Sequence, residues 1–395
     1  MSTNANTSVV PRIGIVGGGL SGLILARVLL INGIPSKVFE YDDSWNSRPQ
    51  GGTLDLHTES GQLAMRTAGL WEDFERHVRY EGQAMRILDK TGQVLLNEEV
   101  DPSEKGRPEV DRTVLRKSLI DSLGDGIIQW GAKVKSVHPL PLSTENSLNT
   151  YKIVLGNGKE EVFDIVVGAD GAWSRVRSLL SDATPTYCGV TMMDTTLENV
   201  DTSYTKESKL VGDGTMFALG ENKGIISQRN GDGSIRTYIT LRIDPKEIPS
   251  TEDSPVLRSF LLERFADWSE DLKNFIRDGK DLVVRPINCL PIDHHWKYRP
   301  GLTIIGDAAH VMSPFAGEGA NLAMLDGVEL ASAIVRSVKN GENLYDAVEA
   351  FEISMLERSS KAAQESADNL TNFISSNGAQ SVVDFFKNMQ PPADL

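Results

Sequence analysis

Cysteine is nearly absent: Cys188 and Cys289 are the only 2 among 395 residues. Two thiols close at most one bridge and offer no metal-binding spacing. That excludes a disulfide scaffold and a thiolate metal centre, and it leaves both as reduced, structural residues. Histidine is sparse too, with 6. His294 and His295 precede Trp296 in a polar loop, where solvation is the simpler reading than metal ligation, and no metal is expected. Positive charge is short as well. Lys and Arg number 40 against 55 Asp and Glu, a formal net charge of −15, which argues against nucleic acid and anionic membrane surfaces as partners. No apolar run reaches the roughly 20 residues of a membrane span, and the opening MSTNANTSVVPR is polar, without a secretory stretch. No Ser/His/Asp order falls on a nucleophile elbow, so hydrolase chemistry has no support. The expectation is a cytoplasmic, monomeric enzyme or small-molecule binder.

What the chain does have is glycine placed after short apolar runs. Residues 11–40 read as strand, tight turn, helix and strand, with Leu23, Ala26, Leu29 and Leu30 at helical spacing and Gly33 as the stop. Gly17, Gly19 and Gly22 fit G-x-G-x-x-G. The first permits the tight turn, the second lets a pyrophosphate approach the backbone, and the third allows helix and strand to pack closely. The helix start offers free N–H groups and partial positive charge to phosphates. Glu40 closes the second strand, where an acid accepts both hydroxyls of an adenosine ribose. Such an acid favours FAD or NAD, because it repels the 2′-phosphate of NADPH.

A second strand-turn-helix lies at 301–327, GLTIIGDAAHVMSPFAGEGANLAMLDG. Asp307 at the strand end is placed to hold ribityl or ribose hydroxyls in the middle of a long dinucleotide. From Pro314 onward the chain opens a helix whose amides at Gly317, Gly319, Ala320 and Asn321 face whatever anion forms there. A reduced flavin carries such a charge on its N1/C2 carbonyl edge. One loop therefore holds the ADP half of FAD and the other the flavin half. His310 reads as a brace for this turn rather than a catalyst.

Between the two loops, DRTVLRKSLIDSLG (111–124) is an amphipathic helix, followed by a strand in IIQWGAKVKSVHPL. TYKIVLGNG and EEVFDIVVGADG form a hairpin that feeds a buried strand. From about 185 to 285 the segments are short and β-like, then a helix covers SPVLRSFLLERFADW. Residues 341–389 are helical and charged.

Three motifs in register resemble the aromatic-hydroxylase type (class A) of FAD-dependent flavoprotein monooxygenase. They are GGGLSG with Glu40, VVGADGAWSRVR at 166–177, and GLTIIGDAAHVMSPFAGEGAN at 301–321. Within that family RPQGGTLDLHTESGQLAMRTAGL (48–70) and FLLERFADW are most similar to the tetracycline-inactivating monooxygenases. The resemblance implies that Arg48, close to the flavin but outside both loops, helps admit NADPH. It also implies that Asp55, Arg116 and Asp307 contact FAD, and that Asp170 and Gly171 lie near the flavin and the pyridine-nucleotide route. Arg116 is plausible on its own chemistry, since a guanidinium bonds ribityl or phosphate oxygens well.

The fold expected is α/β: a split glutathione-reductase-like FAD-binding domain (1–75, 106–178 and 283–330) with an inserted, mostly β substrate domain (76–105 and 179–282). A C-terminal helical segment (331–395) bridges them. The activity implied uses NADPH and O2. Oxygen adds to the reduced flavin at C4a, and the distal oxygen of that hydroperoxide passes to a phenolic or enolic small molecule. An FAD oxidase or dehydrogenase, and a non-catalytic flavin- or drug-binding protein, remain as rival readings. Asp194, Met216, Pro314 and Phe315 are the candidate substrate contacts. The Gln and Arg that tetracycline-destroying members present to substrate align with Asp194 and Gly214, so both donors are lost unless Arg229 or Arg236 replaces them. The sequence also departs at Glu318, an added negative charge by the flavin edge.

Overall fold

The computed structural model describes residues 10–48, 50–101, 106–141, 149–250 and 254–389. The polar start of the chain at 1–9, Pro49 of the 48–70 motif and the last residues of the C-terminal segment lie outside them.

A parallel five-stranded sheet forms around β1 (Ile13–Val16). β1 feeds α1 (Leu20–Ile31), which returns the chain to β2 (Ser36–Phe39) beside β1. On the other side of β1 lies Ile165–Gly168, followed by Leu302–Ile304, while Ile128–Gln129 edges β2. The central strands Ile13–Val16 and Ile165–Gly168 are buried at every position, without alternation, because helices and loops cover both faces. The hairpin of Tyr151–Leu155 and Glu160–Phe163 pairs antiparallel and delivers the chain into Ile165–Gly168. The strand expected within 127–140 is two, Ile128–Gln129 and Val134–Pro139, because Gly131 turns the backbone with a φ of +62°.

A seven-stranded sheet occupies the other half. Its order is Lys280–Cys289, Thr186–Leu197, Ile235–Arg242, Lys223–Arg229, Thr215–Gly220, Met85–Leu88 and Val94–Glu98. One boundary needs correction. Residues 283–289, assigned from sequence to the FAD-binding part, belong to this sheet, paired with Thr186–Leu197. Pro286 weakens that stretch as a strand signal, and it is tolerated because the strand lies at the sheet edge.

Each half has its own core. One buries β1, α1 and the helix Gly319–Asn340 against the parallel sheet. Another seals one face of the large sheet with Ser254–Arg264 and Glu270–Asp278. The helix Leu344–Phe373 joins the halves: Phe351 and Met355 sit in the first core, while Leu370 and Phe373 pack on the opposite face of the large sheet. Among the described residues no helix is long and apolar enough to cross a membrane.

Candidate active site

The first glycine turn has the geometry its spacing requires. Gly17 holds a φ of +109°, and a Cβ there would meet the carbonyl oxygen of Ala169 at 2.2 Å. Gly22 packs so closely that a Cβ would meet the Gly17 oxygen at 2.3 Å, whereas a Cβ at Gly19, the N-cap of α1, would meet nothing within 4 Å. Glu40 is buried behind this turn. It accepts the Gly18 amide at 2.6 Å and the Asp42 amide at 2.9 Å. Arg116 donates to the carbonyls of Gly18 and Trp45, at 3.0 Å each, and stands 3.7 Å from both Glu40 and Asp42. A buried guanidinium thus balances two buried acids. Arg48 joins the same cluster, with Nε at 3.1 and 3.0 Å from the two oxygens of Asp42. Its place in sequence suggested a position by the flavin; the structure sets it instead at the Glu40 end of the site.

The second turn begins at Gly306, whose φ is +60°, and exposes Asp307 at the head of a single helical turn, Asp307–His310. Asp326 anchors that turn. Its Oδ2 accepts the Gly306 amide at 3.0 Å and meets His310 Nε2 at 2.6 Å, and its Oδ1 accepts from Arg358 at 3.1 Å. Burial disfavours a charged His310, but the Asp326 carboxylate outweighs it and raises the imidazole pKa. His310 is therefore a brace. Pro314–Ala316 makes a 3-10 turn, Gly317 takes the left-handed conformation at φ +70°, and Glu318 caps Gly319–Asn340. As at Gly19, a Cβ on Gly319 would meet nothing within 4 Å.

The start of α1 lies against Gly306 and the body of Gly319–Asn340. A Cβ on Gly306 would touch Ser21 Oγ at 3.0 Å and Ala323 at 3.2 Å, and one on Gly327 would meet the Ser21 oxygen at 2.6 Å. Absence of side chains at 306 and 327 lets α1 and Gly319–Asn340 cross at contact distance. The middle motif sits against them. Asp170 follows the strand Ile165–Gly168 and accepts the Arg175 amide at 2.8 Å, while its Oδ1 is buried without a protein partner. Burial pushes its carboxyl above the usual range, against hydrogen bonds from Ser174 and Arg175. Arg177, also buried, donates to the carbonyls of Ala172 at 2.7 Å, Ala183 at 3.1 Å and Ala308 at 3.0 Å. It ties the Asp170 loop to the residue after Asp307.

Asn321 works through its side chain as well as its backbone. Its Oδ1 accepts from the amides of His57 at 2.9 Å and Gly61 at 3.2 Å, and its Nδ2 donates to the Asp55 carbonyl at 2.9 Å. This clamp fastens β3 (Thr53–Asp55) and the residues after it to the helix start. His57 lies inside the clamp, 3.0 Å from Asp55 and 3.2 Å from Glu318. Sequence reading missed His57 because its second acid is hundreds of residues away; the one local signal was Asp55 two residues earlier, on the same face of an extended chain.

On the large sheet, Met192, Phe217, Tyr238 and Phe315 share one cluster, and Phe315 meets Phe373 edge-on at 6.1 Å. Met216 faces away, fully buried against Ser254–Arg264 and Glu270–Asp278, so it is not a substrate contact. Adjacent strand residues point to opposite faces, and Phe217 takes the place expected of Met216. Asp194 is buried but not a lone acid: Arg236 lies at 2.6 Å and Arg285 at 2.5 Å from its Oδ2. Donors are thus supplied on this face by Arg236, whereas Arg229 is turned to Asp201. Gly214 offers no room for the arginine that alignment suggests, since a Cβ there would lie 1.9 Å from the Ala84 oxygen. Installing arginine there is no route to a tetracycline site. His294 is not solvated as expected; it bonds the Ala309 carbonyl at 2.7 Å and Ser181 at 3.1 Å. Both cysteines are unbridged.

The sequence profile of the FAD binding domain family matches residues 10–366. The chain belongs to this family of FAD-dependent, class A flavoprotein monooxygenases. It is similar to monooxygenase asqM of Emericella nidulans, 32% identical over 380 residues, 82% of this chain and 84% of the relative. Monooxygenase penA of Penicillium thymicola is 29% identical over 425 residues, covering 94% and 97%. Among solved structures, HpxO of Klebsiella pneumoniae, complexed with FAD and uric acid, superposes with a TM-score of 0.79 at 19% identity, covering 97% of this chain and 94% of that one. Tetracycline destructase Tet(55) gives 0.72 at 17%, covering 95% and 94%. Likeness at these identities concerns the fold of this FAD-dependent family member. The two open helix starts and the orphaned Asp170 oxygen suit an extended dinucleotide.

Proposed function

We propose that this monooxygenase takes electrons from NADPH and inserts one atom of O2 into a phenolic or enolic small molecule. The observation that supports the reading is the contact of Ser21 with Gly306 and Gly327, which leaves the open start of α1 and the open start of Gly319–Asn340 roughly 12 Å apart at about 1.5 Å per helical residue, a separation suited to the two halves of FAD. Bound there, FAD supplies two-electron uptake from a nicotinamide and activation of O2 toward an electron-rich carbon. The residues bind and orient. Amides at the open start of α1 around Gly19 would cradle the pyrophosphate, with Gly17 and Gly22 shaping the turn, Glu40 toward the ribose and Arg116 fixing that acid. Asp307 and Asp55 would hold the middle of the cofactor and Asp170 would line the nicotinamide route, while Arg48, held by Asp42, would stand at the adenosine end of the FAD site. Pro314, Gly317, Gly319, Ala320 and Asn321 would present the flavin edge. Phe315, Phe217, Met192 and Tyr238 form an apolar and aromatic wall that excludes water. Asp194 with Arg236 gives it one polar corner, suited to a substrate oxygen. We infer a substrate other than tetracycline as the better one, because Gly214 leaves no space for a further guanidinium.

The test is purification followed by a panel of phenols, enols and tetracyclines. The protein is expected to be yellow, to release FAD on denaturation, and to oxidise NADPH faster with its substrate, whose mass gains one oxygen atom from labelled O2. Release of FMN, or no flavin at all, would overturn the architecture of the site; NADPH consumption that yields only H2O2 across the panel would establish the oxidase reading.

Asp307→Ala is expected to retain the fold and loosen the cofactor. A hydrogen bond to a charged group contributes roughly 1.5–3 kcal/mol, so the FAD dissociation constant should rise about ten- to a hundred-fold. Titration of the stripped protein with FAD reads this directly, and an unchanged constant refutes the role given to Asp307.

A further inference from the structure

His57 is enclosed where the segment after β3 meets the start of Gly319–Asn340, with 1% of its surface exposed. Its two ring nitrogens face two different carboxylates, Asp55 at Nε2 and Glu318 at Nδ1. A neutral imidazole carries one N–H and one lone pair, so it could satisfy only one of them and would turn its lone pair on the other. Only the imidazolium offers a donor to both. Burial opposes that charge, but the hydrogen bond to Asp55 and the charges of Asp55 and Glu318, the latter 3.2 Å from Nδ1, outweigh it and push the pKa up to about 9. The next ionisable group beyond Asp55 is Glu109, opposite it in the β3 ladder and bonded to Thr53, with Arg79 and Asp111 behind.

Glu318 occupies the N-cap of the helix whose amides would meet the flavin. A full negative charge there outweighs the partial positive charge, roughly half a unit, of a helix start. We propose that His57 is a charge-compensating positioning residue: its imidazolium, clamped between Asp55 and Glu318, offsets the acid at the 317–319 turn and keeps this helix start receptive to the negative charge of a reduced flavin. This inference rests on the reading that the flavin half of FAD binds at that turn.

The experiment measures the midpoint potential of FAD bound to the holoprotein at pH 7.5, by equilibration with a redox dye. His57→Gln removes the positive charge, so the reduced form should bind at least about tenfold less tightly relative to the oxidised form, which lowers the potential by about 30 mV. Glu318→Gln removes the negative charge and should raise it by a similar amount. The double variant should return close to the wild-type value. Above pH 9 the wild-type protein should approach His57→Gln, because its imidazolium is then deprotonated. A purely structural role for the cluster would move both single variants the same way and the double further still, and that pattern overturns the proposal. Glu318 is partly exposed, so Glu318→Gln decides the sign alone should His57→Gln fail to fold. Retained FAD whose potential ignores both substitutions overturns this inference only. Wild-type protein without affinity for FAD overturns the cofactor reading and this inference with it.

Discussion

Asp326→Ala is expected to leave little soluble protein and to lower the stability of what survives by about 3–5 kcal/mol, the usual cost of removing one partner from a buried charged cluster. Asp326 has no exposed surface, and its two oxygens hold the Gly306 amide, His310 and Arg358. Without it, His310 loses the carboxylate that keeps its charge tolerable, and the Gly306 amide is buried with no acceptor. Domains of ordinary stability have only about 5–15 kcal/mol to lose. Chemical denaturation monitored by tryptophan fluorescence measures the loss. A midpoint shift equivalent to under about 1 kcal/mol would refute the anchoring role. Asp326→Asn, which keeps one acceptor but not the charge, should fall between.

Arg177→Met is expected to be nearly as damaging, and to loosen FAD as well. The methionine fills most of the volume but leaves the carbonyls of Ala172, Ala183 and Ala308 without their donor. Each unsatisfied buried acceptor costs about 1–3 kcal/mol, so a total of about 3–5 kcal/mol is expected after some hydration. Two of those carbonyls flank the Asp170 and Asp307 loops, so the FAD dissociation constant should rise along with the drop in melting temperature. Arg177→Lys should not rescue either readout, because a single ammonium cannot reach three diverging carbonyls as a planar guanidinium does. Wild-type FAD affinity in Arg177→Lys would show that the three loops do not depend on this fork.

The local rules that could be read from sequence are those that act over one turn or one strand. Gly17, Gly19 and Gly22 fall where backbone must be tight, open and close in that order, and the two glycine turns reveal themselves by following apolar runs. What stayed hidden depends on distant partners. Asn321 could be placed at a helix start, but not its side-chain clamp on residues 55–61. His57 gains its meaning from Glu318, and Arg177 from Ala308. The neighbours Met216 and Phe217 could not be ranked, because strand alternation tells that they oppose each other without telling which face is which. Asp194 could be named as a substrate contact, but its pairing with Arg236 and Arg285 depends on register across the sheet.

The helix Leu344–Phe373 spans about 45 Å at 1.5 Å per residue. Near its end Ser366 bonds Ser313, Asn369 donates to the Phe315 carbonyl, and the Leu370 and Ile374 carbonyls accept from Arg242. It contributes to two cores, one on each half of the molecule. One element therefore serves both halves, and any event that unseats it, a proteolytic nick or a helix-breaking substitution, bares apolar surface on each half at once.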